Sequence, residues 1–287
     1  MVIRSVNSQA NEHQKKPIGY FPFGQEIASL AQVNRTPKRV FILGVYASAV
    51  HARWVDSKGK QRIAALAVAS EPEIFWRGNS DQALRIISAI SLPDGAGHLE
   101  PANAQFNGPS GQALDELFLA PLSLGREDAW LCDLIPHSCK NKSQKLALAR
   151  EYDKKIEELR LPAYDWPELP PSLATPQRRD EIESELLESK ADIVITLGDQ
   201  PLKWFASHFG AHSSLSEYGR DPEHYGRLHE LKVADRAIWL LPLVHPRQAD
   251  GLGRHTKDWL SIHRRWAENP PDQALIARLT SRSDKPL

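Results

Sequence analysis

The chain has 287 residues, 41% hydrophobic and 25% charged, and 36 basic side chains balance 36 acidic ones to a formal net charge of zero. That composition suits one large globular domain with its own core and disfavours a DNA binder that works by gripping phosphates alone, which would be basic. There is no apolar run long enough to cross a membrane and no signal-peptide pattern, and the two cysteines, Cys132 and Cys139, are too few for a disulfide framework or a four-cysteine metal site. A reduced, cytoplasmic, monomeric protein with no membrane contact is expected.

Residues 1–16 are polar and are read as loosely ordered, within an N-terminal extension over 1–37. The first firm strand is RVFILGV (39–45), a continuous apolar run ending in a glycine and a loop. HARWVDSKGKQRIAALAVAS (51–70) reads as a hairpin turning at 57–60. SGQALDELFLAPL is predicted to be a helix capped by Ser110. A second apolar strand, DAWLCDLI (128–135), follows. The proline-rich LPAYDWPELPPSLATP (161–176) reads as an irregular connection, and RRDEIESELLES as an amphipathic helix. ADIVITLG (191–198) is the third strand, DQPLKWFASHF a helix with Asp199 as its cap, and AIWLLPLV (237–244) the fourth strand. The basic C-terminal stretch with Arg254, His255, Lys257, His263, Arg264 and Arg265 suits either a DNA-facing surface or a solvated helix face. Apolar strands alternating with helices predict a three-layer α/β/α sandwich with a central, mainly parallel four-stranded sheet and an inserted hairpin region.

In open α/β sheets ligands bind beyond the carboxyl ends of the strands. That singles out Gly44-Val45-Tyr46-Ala47-Ser48, then Asp133, then Gly198-Asp199-Gln200, then His245-Pro246-Arg247. Asp133 in WLCDLIPH puts a carboxylate at the mouth of a buried strand, which is costly unless something meets it. It suits a turn cap or a ligand contact. His245 in LVHP suits a satisfied structural residue or a catalyst. His51, His137, His208 and His255 have plain surface or capping readings, and the eleven histidines form no compact metal pattern. No Walker loop, GxGxxG or GxSxG motif is present, and Ser110 in GPSG reads as a helix N-terminal residue rather than a nucleophile.

With these segments in order, the chain resembles the uracil-DNA glycosylase superfamily, nearest the branch that usually carries an iron–sulfur cluster. The resemblance spans roughly 38–268 and leaves a tail at 269–287. LGVYAS stands at the family's water-positioning loop, and QFNGPSGQALDELF at the segment whose phenylalanine, here Phe106, stacks on the flipped base. LGREDAWLCDLIPHSCKN resembles the strand that ends in the base-reading residue. ADIVITLGDQPLKWF matches the next strand and helix, and YGRLHEL with LPLVHPRQ the last strand and histidine loop. The departures are equally specific. The cluster cysteines are absent, so no metal or organic cofactor is implied. Val45, Tyr46 and Ala47 replace the usual polar groups and proline, and Ser48 replaces a tyrosine that excludes 5-substituted bases. The span over about 49–103 is enlarged, and Asp133 replaces the base-reading asparagine.

The resemblance implies base flipping and hydrolysis of an N-glycosidic bond in DNA. It places catalytic roles on His245, Asp133 and Tyr46, with backbone groups of Val45, Tyr46 and Ala47 holding water. Gly44, Val45, Ala47, Ser48, Phe106 and Asp133 would surround the base, and Arg247, Ser110, Gln200 and Arg254 would touch DNA. An ionised aspartate only accepts hydrogen bonds, which suits the N4 amino group of cytosine and not O4 of uracil. Small Ser48 leaves room at C5. The expected substrate is therefore a cytosine with a bulky 5-substituent, such as hydroxymethylcytosine or its glucosylated form, as in some bacteriophage DNA. The rivals are a uracil or deaminated-base repair enzyme with protonated Asp133, and a catalytically silent member that binds DNA or a protein.

Overall fold

The structure, a computed structural model, describes residues 17–252 and 256–281. Four apolar runs become strands of one sheet, as the sequence predicts. In chain order the strands are β1 (Val40–Tyr46), β2 (Ala49–Val55), β3 (Gln61–Ser70), β4 (His98–Pro101), β5 (Ala129–Ile135), β6 (Ile193–Leu197), β7 (His229–Val233) and β8 (Arg236–Leu243). The main sheet has the order β5-β1-β6-β8-β7, with every pair parallel except β7 against β8. It thus has five strands where the sequence reading has four. The extra strand alternates exposed Glu230 and Lys232 with buried Leu231 and Val233, the pattern of an antiparallel edge wetted on one face. Helices cover the sheet in an α/β/α arrangement.

Three helix starts differ in detail from the sequence reading. The helix read from RRDEIESELLES begins earlier, as Pro176–Ser189, with Thr175 as its cap, and the Thr175 hydroxyl accepts from the Arg178 N–H at 3.2 Å. Ser110 is not a cap: the helix begins at Pro109 after Gly108 in the left-handed region (φ 75°), and continues as a wide π turn over Leu114–Leu119. Asp199 is not a cap either. Gly198 takes that place, and the Asp199 carboxylate accepts from the Leu215 N–H at 2.7 Å.

The expected hairpin forms from β2 and β3, and β4 adds to β2 to make a separate antiparallel sheet β3-β2-β4. Helix Ser80–Ser88, capped by the Asn79 side chain, completes the insertion. This sheet has its own core, including Trp54, Leu66, Val68, Trp76 and Ile87. Phe21 and Phe23, inside the segment read as an N-terminal extension, are buried in it. Residues 1–16 lie outside the described residues, as do Arg254 and His255. No helix among the described residues is long and apolar enough to cross a membrane.

The C-terminal basic stretch divides. Lys257, Arg264 and Arg265 are exposed, but His263 is fully buried on helix Thr256–Glu268. Its Nε2 lies 3.0 Å from the Leu117 carbonyl and its Nδ1 2.7 Å from the Tyr225 hydroxyl, which also accepts from the Val244 N–H at 3.0 Å. Burial pushes the His263 pKa down to about 4, so the ring is neutral. Neutral imidazole satisfies both contacts by donating from Nε2 and accepting at Nδ1. The network fixes the backbone just before His245. Replacing Tyr225 by Phe removes one group and strands two buried partners, and should cost about 1–3 kcal/mol of stability. A denaturant midpoint equal to that of the parent protein would show that the network carries no such weight.

Candidate functional site

A cavity of about 520 Å³ opens at the carboxyl end of the main sheet. It brings together most of the residues that the sequence singles out: Val45, Tyr46, Ser48, Phe106, Ser110, Asp133, His245 and Arg247 all line it. Gly44 and Ala47 do not. Gly44 is the backing of the site, and Ala47 is buried with its amide donating to the Ile135 carbonyl at 3.2 Å, so it has no free N–H for a water. Gln200 is also elsewhere: it is exposed and accepts from the Trp204 indole at 3.0 Å. Arg254 lies outside the described residues.

Asp133 occupies the floor. Its partner across the parallel ladder is Gly44, and a Cβ on Gly44 would come within 2.2 Å of the Asp133 carboxyl and 2.6 Å of the Phe75 ring. A side chain at position 44 is therefore excluded by the carboxyl itself. Asp133 is 4% exposed, and burial drives its pKa up to about 7. Arg178 lowers it only in part, because the guanidinium donates to the backbone carbonyls of Asp133 (2.8 Å) and Leu134 (3.2 Å).

His245 stands at the start of the short helix Pro246–Ala249. Its Nδ1 accepts from the Arg247 N–H at 3.2 Å, which leaves Nε2 as the N–H of the neutral ring. Burial, with a smaller contribution from Arg247, lowers its pKa to about 4. It is therefore a neutral hydrogen-bond donor at pH 7 and not a cation. Arg247 itself is exposed at the cavity mouth.

The QFNGPSG segment is shaped by close approach to the insertion. Asn107 brackets the backbone of His51, accepting from its N–H at 2.8 Å and donating to its carbonyl at 3.0 Å. A Cβ on Gly111 would fall 2.2 Å from the Phe75 carbonyl and 2.3 Å from that of Trp76. Phe106 is half-buried on the cavity wall, with its ring 6.5 Å from that of His51.

Three wall residues carry no signal that the sequence reading used. His51, read as a plain surface or capping residue, lines the cavity with its pKa lowered by burial to about 4. Phe75 faces Gly44 with a left-handed backbone (φ 53°), an unfavourable conformation for an aromatic residue. Arg126 holds its carbonyl at 2.6 Å. Glu71 is buried beside Ser48 and Asp133, and burial raises its pKa to about 8. Its one available signal was the hairpin: an antiparallel pair turning at 57–60 must bring residues near 70 back beside Ser48.

These shifts make stability depend on pH in a defined way. Folded Asp133 and Glu71 hold protons that the unfolded chain gives up at ordinary carboxylate pH, so their contribution is full in acid and lost as pH rises through about 7 and about 8. His51, His245 and His263 act oppositely, because the unfolded chain binds protons that the folded rings refuse until about 4. Stability should therefore be highest near about pH 6.5 and fall on both sides. Thermal melts should show a loss from about pH 6.5 to about pH 8.5 that is shallower in the double variant D133N/E71Q. An equal slope in parent and variant would refute the assignment.

Compared with known protein families and with characterised proteins, the chain matches none.

Proposed function

We propose that the protein is a DNA glycosylase that hydrolyses the N-glycosidic bond of an extruded, 5-substituted cytosine. The observation that carries this reading is the pairing, in one cavity, of a buried carboxyl at the floor with a neutral histidine donor at the rim. A flipped base is held by its edge and by stacking. Ionised Asp133 accepts from the N4 amino group, and Phe106 or Phe75 supplies an aromatic face. The volume falls within the range of cavities that enclose drug-sized ligands, well above the need of one planar ring.

As the C1′–N1 bond breaks, its electron pair passes to the base and negative charge grows on O2. Nε2–H of His245 donates to that oxygen as the charge develops, in a cavity where the hydrogen bond is little screened. Water adds to C1′ through backbone groups of Val45 and Tyr46, and its proton ends on N1 of the released base. Arg247 at the mouth suits a phosphate. Excision of such a base from phage DNA would give the protein an antiphage role.

A second reading is favoured by the Asp133 pKa of about 7. A protonated carboxyl donates and accepts at once, so it fits uracil as well as cytosine. The two readings separate by pH and by substrate. Excision of uracil needs the acid form of Asp133 and should fade as pH rises through about 7; excision of modified cytosine should persist above it.

Mass spectrometry of bases released from DNA containing uracil, cytosine and 5-modified cytosines decides between them. Release of modified cytosine only is the expected result, and release of uracil only would overturn it. Replacing His245 by Ala should slow turnover by about 10²- to 10³-fold while leaving DNA affinity near the parent value; unchanged turnover would remove the histidine from the mechanism.

A further inference from the structure

The ladder between β2 and β3 pairs Ala49 with Ser70, so its next step sets Ser48 opposite Glu71. The Ser48 hydroxyl and the Trp76 backbone N–H both donate to the Glu71 carboxyl. Glu71 is 4% exposed and lines the cavity, and its charged neighbours are the acids Asp133 and Glu73. A carboxyl at that depth, with another carboxyl as its strongest charged neighbour, is costly to ionise. Ser48 and Trp76 leave acceptor positions on that carboxyl, which a ligand in the cavity can fill with a further donor.

The fold says which part of a base would bring them. His245 follows β8, and Asp133 lies on β5, the opposite edge of the parallel strands. A cytosine with O2 at His245 and N4 at Asp133 therefore turns its C4–C5 end toward the β5 side. The inserted sheet is on that side, because Gln144, on the helix after β5, donates to the Ala65 carbonyl of β3 at 2.9 Å and accepts from the Ala67 N–H. The cavity continues there, between Ile63 and Ala65 of β3 and Ser143 and Gln144 of that helix.

We propose that Glu71, with Ser48, is the specificity-determining group that receives a hydroxyl-bearing substituent on C5 of the extruded cytosine. The proposal rests on the glycosylase reading above. A substituent hydroxyl donates to Glu71. A methyl group cannot, and it would occupy the space beside the buried carboxyl without adding a donor to those of Ser48 and Trp76. A site built to bond a hydroxyl rejects the analogue that lacks it far more strongly than an apolar pocket rejects one methylene. Cytosine and 5-methylcytosine would thereby be spared.

The test uses the full chain, its E71L and E71Q variants, and duplexes carrying one cytosine, 5-methylcytosine, 5-hydroxymethylcytosine or glucosylated 5-hydroxymethylcytosine. The parent protein should prefer a hydroxylated base over 5-methylcytosine by about 10²-fold in kcat/KM. E71L should lose that preference through a loss on the hydroxylated bases alone, and E71Q, whose amide oxygen still accepts, should keep part of it. A preference that survives in E71L overturns the proposal, as does an equal loss on every base. If the parent protein releases no base, the glycosylase reading fails by itself. The Kd ratio for hydroxylated over methylated duplexes then decides on Glu71: a ratio that collapses in E71L supports it, and an unchanged ratio overturns it.

Discussion

The register that sets Gly44 opposite Asp133 in adjacent parallel strands governs the cavity. A carboxyl on a buried strand needs somewhere to point, and β1 provides the space by having no side chain at position 44. Phe75 closes the other side of that space, at the cost of a left-handed backbone. The strain is held from several directions, since Arg126 bonds the Phe75 carbonyl and that of Gly111 and is itself paired with Asp115. A larger residue at 44 would expel either the acid or the ring, and the floor of the cavity would be lost with it.

The same acid depends on how the edge of the sheet is covered. β5 is an edge strand, and an uncovered edge invites water or a foreign strand. Arg178 binds the carbonyls of Asp133 and Leu134, Gln32 accepts from the Leu131 N–H at 2.9 Å, and the Leu30 N–H donates to the Pro136 carbonyl at 2.6 Å. The Gln32 and Arg178 side chains and the Leu30 backbone thus take the place of a missing strand. Because Arg178 is committed to these carbonyls, it does not neutralise the Asp133 carboxyl, which is why burial dominates the acid's pKa.

The main sheet was legible because its strands are buried on both faces and read as unbroken apolar runs, each followed by a loop with polar residues. Asp133, His245 and the Val45–Ser48 loop were legible for the same reason: a strand end in such a sheet is a defined place. β7 was hidden by its short, half-wet pattern. Glu71 and His51 were hidden because antiparallel register depends on bulges, and the β2–β3 ladder has several shifts. Ser110 and Asp199 are good capping residues, yet the cap falls on a glycine that precedes each of them, Gly108 and Gly198, both with positive φ. His263 looked basic in a run of charges, yet its helical spacing from Trp259 and Trp266, both buried, marks the inner face.

The electrostatics of the cavity bear on the chemistry proposed for it. A base that departs with negative charge enters a space shared by two carboxyls, and if both were ionised they would oppose its departure. Burial keeps the two from being ionised together near neutral pH: Glu71 holds its proton up to about 8, while Asp133 gives its own up at about 7. The same burial keeps His245 uncharged, so in the proposed reaction it would stabilise the departing base through a fixed N–H dipole and not through a full charge. An uncharged donor holds its geometry without being drawn to an ionised Asp133 across the cavity, where a cation would pair with that acid and turn from the base. Low solvation would thus serve the acids and the histidine alike in the proposed reaction: it limits the charge that would oppose departure and preserves the His245 hydrogen bond that would assist it.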